Sequence, residues 1–284
     1  MRIAVSGASL FVDVIGSGPP LVLMHGGPGG DYTTMSPFRA LADDFTLVFY
    51  DHRGNGRSDI EFITSMDWQN LTADAEAIRE HLGFERWAVL GHSFGGMVAV
   101  EYALRYPGSL DRLVLVDTGG DIRWVQDRAP EELARRGYSM GTVDLARRFY
   151  RGQITPREMS LGFLRFGRAF YYRMSRLGML REMLNARQMQ ARPAALIYGF
   201  SELLDGWTVM DRLGGIATPT LVLAGRSDFQ YPPEHQQELA RAIPGAQLRI
   251  IDEAGHNAPH ERPDEVLGVV RRFLAGDAAG DQAG

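Results

Sequence analysis

The stretch Gly91-His92-Ser93-Phe94-Gly95-Gly96 constrains this chain more than any other. It follows the apolar run Trp87 to Leu90 and precedes Met97 to Tyr106, whose residues suit a helix, so a serine stands at a strand-to-helix turn. Glycines on either side of such a serine let strand and helix approach closely, and the tight turn pushes the hydroxyl out above the sheet. The pentapeptide Gly-x-Ser-x-Gly alone fits a glycine-rich turn with a capping serine equally well. What Ser93 does therefore depends on whether the rest of the chain supplies its partners.

Composition narrows the chemistry before any partner is sought. The 284 residues, 45% hydrophobic and 23% charged, are enough for one large domain with an insertion. A net charge of -5 gives no electrostatic reason to expect nucleic acid or an anionic membrane surface as a partner. There is no apolar run long enough to span a bilayer, and Asp13 and Gly16 to Pro20 interrupt the early apolar residues before a signal-peptide core could form. A cytoplasmic location is the default expectation. Without cysteine there is no disulfide, thiol nucleophile or thiolate zinc site. Lysine is also absent, all 30 basic residues being arginine, so a P-loop lysine, a Schiff base and a Ser-Lys dyad are excluded together.

Along the chain, Leu10 to Ile15 and Leu21 to Met24 read as strands joined by a Gly/Pro turn, an opening hairpin. His25-Gly26-Gly27-Pro28-Gly29-Gly30 follows directly. It fails as a nucleotide loop, because Tyr32 stands where the third glycine is required. Met35 to Ala42 suits a short helix, and Thr46 to Tyr50 a strand that ends in the charged loop Asp51 to Ser58. We read that loop as a hydrogen-bonded corner rather than as a source of a catalytic Asp51 or His52. Asn70 to Leu82 has the spacing of an amphipathic helix, and Leu113 to Val116 is a further strand with Asp117 at its end. This alternation predicts a parallel sheet with crossover helices. From Gly119 to about Asp211 strand-like runs vanish, and arginine and aromatic residues mix with Met and Leu, which predicts a helical insertion over the serine. The sheet resumes at Thr220 to Ala224 and Leu248 to Ile251, with helices at Pro233 to Ala242 and Val266 to Leu274. Residues 276–284 have the composition of a frayed tail.

A serine hydroxyl is a poor nucleophile near neutral pH unless a base accepts its proton and a third group holds that base in the right tautomer. His256 and Asp228 fill these roles: each follows an expected strand, and the order Ser93, Asp228, His256 is that of serine hydrolases built on such a sheet. Asp117 competes for the acid position, since sites assemble at the C-terminal ends of parallel strands. The oxyanion donors expected are the Phe94 N-H, just after the nucleophile, and the Gly27 N-H of the glycine loop, Pro28 having none to give. His256 and His260 are four apart, but Pro259 between them argues against a helix presenting both to a metal.

The chain up to about residue 275 resembles the α/β-hydrolase superfamily, and His25-Gly26-Gly27-Pro28-Gly29 with Asp51-His52-Arg53-Gly54-Asn55-Gly56-Arg57-Ser58 is similar to its proline iminopeptidase branch. The resemblance implies an α/β-hydrolase fold: a mostly parallel eight-stranded sheet flanked by helices (1–118 and 212–275) with an inserted helical cap (119–211). It also implies no cofactor, no metal and the same triad, with Asp228 favoured over Asp117. Proline iminopeptidases hold a substrate ammonium with acidic cap residues, for which Glu202, with Asp205 nearby, is the best placed by order. Phe229 after the acid is apolar, however, and an aromatic, Met-rich cap also suits an ester or lactone. The expected function is hydrolysis of a small-molecule ester or lactone, with an aminopeptidase as the alternative and a non-catalytic ligand-binding protein on the same fold as a third reading. Trp124, Tyr150, Glu202, Trp207 and Phe229 are the expected substrate contacts.

Overall fold

The computed structural model describes residues 1–174, 178 and 189–276. The expected frayed tail lies outside them beyond Gly276, which ends the last helix in a left-handed conformation. Among the described residues nine strands form one sheet: β1 (Arg2–Val5), β2 (Ala8–Ile15), β3 (Pro20–Met24), β4 (Thr46–Tyr50), β5 (Asp59–Ile60), β6 (Trp87–His92), β7 (Leu110–Val116), β8 (Thr220–Gly225) and β9 (Gln247–Ile251). Eight run in the order β1-β2-β4-β3-β6-β7-β8-β9, and the two-residue β5 pairs with β2 off that path. From β4 to β9 every pairing is parallel.

The continuous apolar runs occupy the middle. Leu21 to Met24, Trp87 to Leu90, Leu113 to Val116 and Leu221 to Ala224 are buried, as strands covered by helices on both faces must be. The expected hairpin between Leu10–Ile15 and Leu21–Met24 does not form. β2 instead pairs antiparallel with β1 on one side and β4 on the other, and β3 lies parallel between β4 and β6. The reason lies in burial. β2 is interrupted by half-exposed residues and belongs near an edge, whereas β3 has no polar face and fits only an interior position.

Two layers of helix close the sheet. On one face α1 (Trp68–His81) packs on α2 (Phe94–Arg105), joining Leu71, Ala75 and Ile78 to Val98 and Tyr102. On the other, the helix Pro263–Ala275 and the 3-10 segment Tyr32–Leu41 bury Phe38, Leu41, Val270 and Phe273. Pro37 inside Tyr32–Leu41 removes a donor, in keeping with the tighter 3-10 geometry found where a short helix is expected.

Between β7 and β8 no strand occurs among the described residues. That segment carries α3 (Ala129–Arg135), α4 (Met140–Phe149), α5 (Pro156–Phe166) and the short helix Pro193–Tyr198. α5 opens with a reciprocal Thr155/Glu158 capping box and Pro156 in its first turn. Phe149 gathers Tyr150, Phe163, Phe166 and Phe200 around it with ring centroids 5.4 to 6.0 Å apart. The segment sits on the glycine loop after β3: Arg192 donates from its N-H to the Gly29 carbonyl (2.9 Å) and from its Nε to the Gly56 carbonyl (2.8 Å). No described helix is long and apolar enough to cross a membrane.

Candidate active site

Ser93 stands between the end of β6 and the first residue of α2 with φ 53° and ψ -121°, a region costing a non-glycine residue about 1 to 3 kcal/mol. Both sides of the turn are held. The Ser93 N-H donates to the Val116 carbonyl at the end of β7 (3.0 Å), and the Ser93 carbonyl accepts from Thr118 Oγ1 (2.6 Å). The flanking glycines are required by space. A Cβ at Gly91 would strike the Gly95 carbonyl, one at Gly95 would strike the carbonyls of Met24 and His25, and one at Gly96 would lie 2.5 Å from the Thr118 Cβ. The elbow is thus wedged between the ends of β3 and β7.

His256, in the loop after β9, brings Nε2 to 2.9 Å from Ser93 Oγ, and its Nδ1 lies 2.8 Å from Asp228 Oδ2. A carboxylate can only accept there, so Nδ1 carries the proton and Nε2 is left to accept from the serine hydroxyl. Asp228 is itself held, its Oδ1 accepting from the backbone N-H groups of Gln230 (2.8 Å) and Tyr231 (3.2 Å). Ser93, Asp228 and His256 are 9%, 2% and 3% exposed, so the line is dry without being sealed. Behind it, the His92 Nε2 lies 3.0 Å from the His256 carbonyl and donates to it. Burial, followed by the nearby His256, lowers the His92 pKa to about 3 and keeps that ring neutral.

Among the described residues no hydrogen bond or ion pair joins the rival acid Asp117 to the His256 ring; its Oδ2 lies 3.9 Å from His92 Nε2 instead. Its Oδ1 accepts from the Gly225 N-H (2.8 Å) and its Oδ2 from the Ala258 N-H (3.2 Å), so it joins the loop that carries Asp228 to the loop that carries His256. Burial, reinforced by the charge of Asp228, pushes the Asp117 carboxyl well above the usual carboxylate range.

The other expected donors lie beside the elbow. Phe94 is the first residue of α2, where a helix leaves its N-H groups free. Gly27 is exposed while its neighbours His25, Gly26, Pro28 and Gly29 are buried, and its N-H has no acceptor among the described residues. The loop after β4 clamps this turn. Asn55 Oδ1 accepts from the Gly29 N-H (2.6 Å), while the Asp51 carboxylate accepts from the N-H groups of Tyr32 (2.7 Å) and Arg57 (2.7 Å). Arg53 is buried and forks onto Asp74 of α1 at 2.7 and 2.6 Å. Asp51 to Ser58 thus forms the hydrogen-bonded corner expected of it, and which N-H groups it holds could not be read without the partners.

The expected substrate contacts are scattered. Phe229 packs edge-on against Phe170 (5.1 Å), which in turn lies 5.5 Å from the His256 ring. The Tyr150 hydroxyl accepts from Gln230 Nε2 (3.1 Å), two residues beyond Asp228. Trp124 packs at a tilt against His235, with ring centroids 4.3 Å apart. Trp207 lies on Trp68 at 5.2 Å and donates to Glu101 of α2 (3.1 Å), so it ties the helical segment to the core. Glu202 and Asp205 are exposed, and partial burial, followed by the charge of Glu202, raises the pKa of the nearby Tyr198. Phe170 and Tyr231, at 5.5 and 5.9 Å from the His256 ring, were not among the expected contacts. For Tyr231 the signal was its position three residues after Asp228; Phe170 had none beyond being aromatic.

The sequence profile of the alpha/beta hydrolase fold matches residues 19–263. A proline iminopeptidase of Heyndrickxia coagulans is 25% identical over 92% of this chain and 92% of its own length. A 2-hydroxy-6-oxo-6-phenylhexa-2,4-dienoate hydrolase of Comamonas testosteroni is 28% identical over 91% and 88%. Among solved structures, a thermophilic esterase from Thermogutta terrifontis superposes with a TM-score of 0.72 at 25% identity, covering 97% of this chain and 98% of that one.

Proposed function

The chain belongs to the alpha/beta hydrolase fold family, and within it we propose a serine hydrolase that cleaves a small-molecule ester or lactone through an acyl-enzyme. The observation that carries this is the unbroken line Ser93 Oγ, His256, Asp228 at 2.9 and 2.8 Å, with two N-H groups beside the serine that have no acceptor among the described residues. Ser93 Oγ attacks the carbonyl carbon as its proton passes to His256 Nε2. Asp228 stabilises the imidazolium, and the N-H groups of Gly27 and Phe94 receive the carbonyl oxygen as it becomes an anion. When the tetrahedral adduct collapses, the bond to the alkoxy oxygen breaks and that oxygen takes the proton from His256. Water then enters by the same route, giving its proton to His256 Nε2 as it attacks the acyl carbon, and Ser93 leaves with that proton.

Residues 119–211 act as a cap that selects the acyl or ring portion. The surroundings of His256 support an uncharged substrate: Phe170 and Tyr231 border the ring, with Phe229 behind. An aminopeptidase would have to desolvate an ammonium against an acid, and the exposure of Glu202 and Asp205 weighs against them in that role. The 25% identical iminopeptidase keeps this the second reading. A side-by-side assay of simple esters, lactones, an N-terminal prolyl amide and its N-blocked form tests the order. Turnover of esters or lactones above both amides is expected; preference for the free prolyl amide over all the others would overturn it.

A further inference from the structure

His25 is buried, and both its ring nitrogens are engaged by the main chain rather than by Ser93, Asp228 or His256. The backbone N-H of His52 lies 3.1 Å from Nε2 and can only donate, so Nε2 must be the unprotonated nitrogen. In a neutral imidazole the proton then resides on Nδ1, which lies 2.7 Å from the Gly26 carbonyl oxygen and donates to it. Burial lowers the pKa of His25, so the neutral ring that this pair of bonds demands is also the one the site favours.

The Gly26 carbonyl belongs to the same planar unit as the Gly27 N-H. The cis bond in this loop is the next one, Gly27-Pro28; the Gly26-Gly27 bond is trans, so its C=O and N-H point in opposite directions. Fixing the oxygen on the His25 side turns the Gly27 N-H to the opposite side, where it has no acceptor among the described residues and where Gly27 alone in the run is exposed. A Cβ built on Gly26 would lie 3.4 Å from the Ser93 Cβ, which puts this peptide beside the nucleophile. One built on Gly30 would lie 2.9 Å from the Gly26 oxygen, crowding the acceptor, so that glycine leaves room for the bond. The His52 ring completes the arrangement, packing between His25 (4.4 Å) and Phe94 (5.6 Å), the residue whose N-H is the second expected donor.

We propose that His25 is a positioning residue: locked in its Nδ1-H tautomer by the His52 backbone, it orients the Gly26-Gly27 peptide so that the Gly27 N-H faces the oxyanion. This rests on the serine-hydrolase reading above. Asparagine and glutamine separate the two edges of the ring, since the Asn amide reaches the place of Nδ1 and the Gln amide that of Nε2. His25→Asn keeps a donor for the Gly26 oxygen, and His25→Gln does not. With an ester substrate, His25→Asn is expected to hold kcat within about fivefold of the wild type. His25→Gln should lose about tenfold to a hundredfold in kcat with KM nearly unchanged, somewhat less than deletion of an oxyanion donor costs. Equal kcat in the two folded variants, or a loss carried by KM, would overturn the proposal. A merely structural role would lower both variants with their stability rather than separate kcat from KM. If neither variant folds, 15N NMR of the wild-type imidazoles decides: a His25 protonated on Nε2, or doubly protonated near pH 7, contradicts it, and a proton on Nδ1 alone supports it. Labelling of the wild type by a fluorophosphonate keeps the two readings apart. An unlabelled wild type defeats the serine-hydrolase reading itself, whereas a labelled wild type with indifferent His25 variants defeats only the positioning role.

Discussion

The C-terminal edge of the sheet and the helical segment packed above it are held together by different means. At the edge, backbone meets backbone: Gly91, Gly95 and Gly96 leave no room for a Cβ, and Asp117, Asp51 and Asn55 fasten loops by accepting main-chain N-H groups. In the segment between β7 and β8, side chain meets side chain. An aromatic cluster centred on Phe149 fills its interior, and ion pairs such as Arg148 with Glu158 lie on its surface. The first kind of packing tolerates almost no substitution and fixes atoms where bonds are to be made. The second tolerates repacking, so under the proposed function substrate choice would change there while the chemistry below stays constant.

Substitutions at the edge should therefore cost far more than substitutions above it. Ser93→Ala is expected to lower kcat on the order of 10^4-fold or more while leaving the melting temperature near that of the wild type, because the group removed makes no packing contact that the fold needs. Asp228→Asn should cost on the order of 10^3- to 10^4-fold, since an amide there favours the wrong tautomer of His256; a kcat assay on a purified, folded variant checks both. Gly95→Ala drives a methyl group into the carbonyls of Met24 and His25. Denaturant unfolding should reveal a loss of about 3 kcal/mol or more, or no folded protein at all. By contrast, Tyr150→Phe removes only the hydroxyl that accepts from Gln230, and kcat/KM should fall less than about tenfold with the substrate preference altered. A loss as large as that of Asp228→Asn would erase the distinction between the two regions.

The last effect concerns pH. His235 lies against Trp124 and Tyr231, and burial lowers its pKa from 6.5 to about 4. Between those values the unfolded chain binds a proton that the folded chain does not, so this group's contribution to stability falls as pH drops from 6.5 toward 4 and is constant above 6.5. The slope approaches about 1.4 kcal/mol per pH unit over that window. Urea unfolding at pH 7 and pH 5 should therefore show a smaller acid loss for His235→Leu than for the wild type; parallel losses would contradict the assignment.

How much of this was legible in the sequence follows the same division. The interior strands announce themselves as uninterrupted apolar runs, and Ser93 and Asp228 could be singled out because each stands just beyond one of them, whereas His256 follows the edge strand β9, whose half-buried run includes Gln247 and Arg249. β1 (Arg2–Val5) and the pairing of β2 with β4 were not legible, because a Gly/Pro turn after β2 says that the chain reverses without saying which strand it reverses against. Asp117 drew attention for the right reason, its position at a strand end, but its partners come from loops 108 and 141 residues away. The cap residues were the least legible. Aromatic side chains at helical spacing look alike whether they border His256, as Phe170 does, or tie helices to the core, as Trp207 does.

The central claim is that Ser93, and no other hydroxyl, is activated by His256 for attack on an acyl carbon. Incubation with a fluorophosphonate followed by peptide mapping tests it most directly. The account predicts one covalent adduct per chain, located on Ser93 and absent from folded Ser93→Ala. A wild type that stays unlabelled, or an adduct that persists in Ser93→Ala, would contradict it.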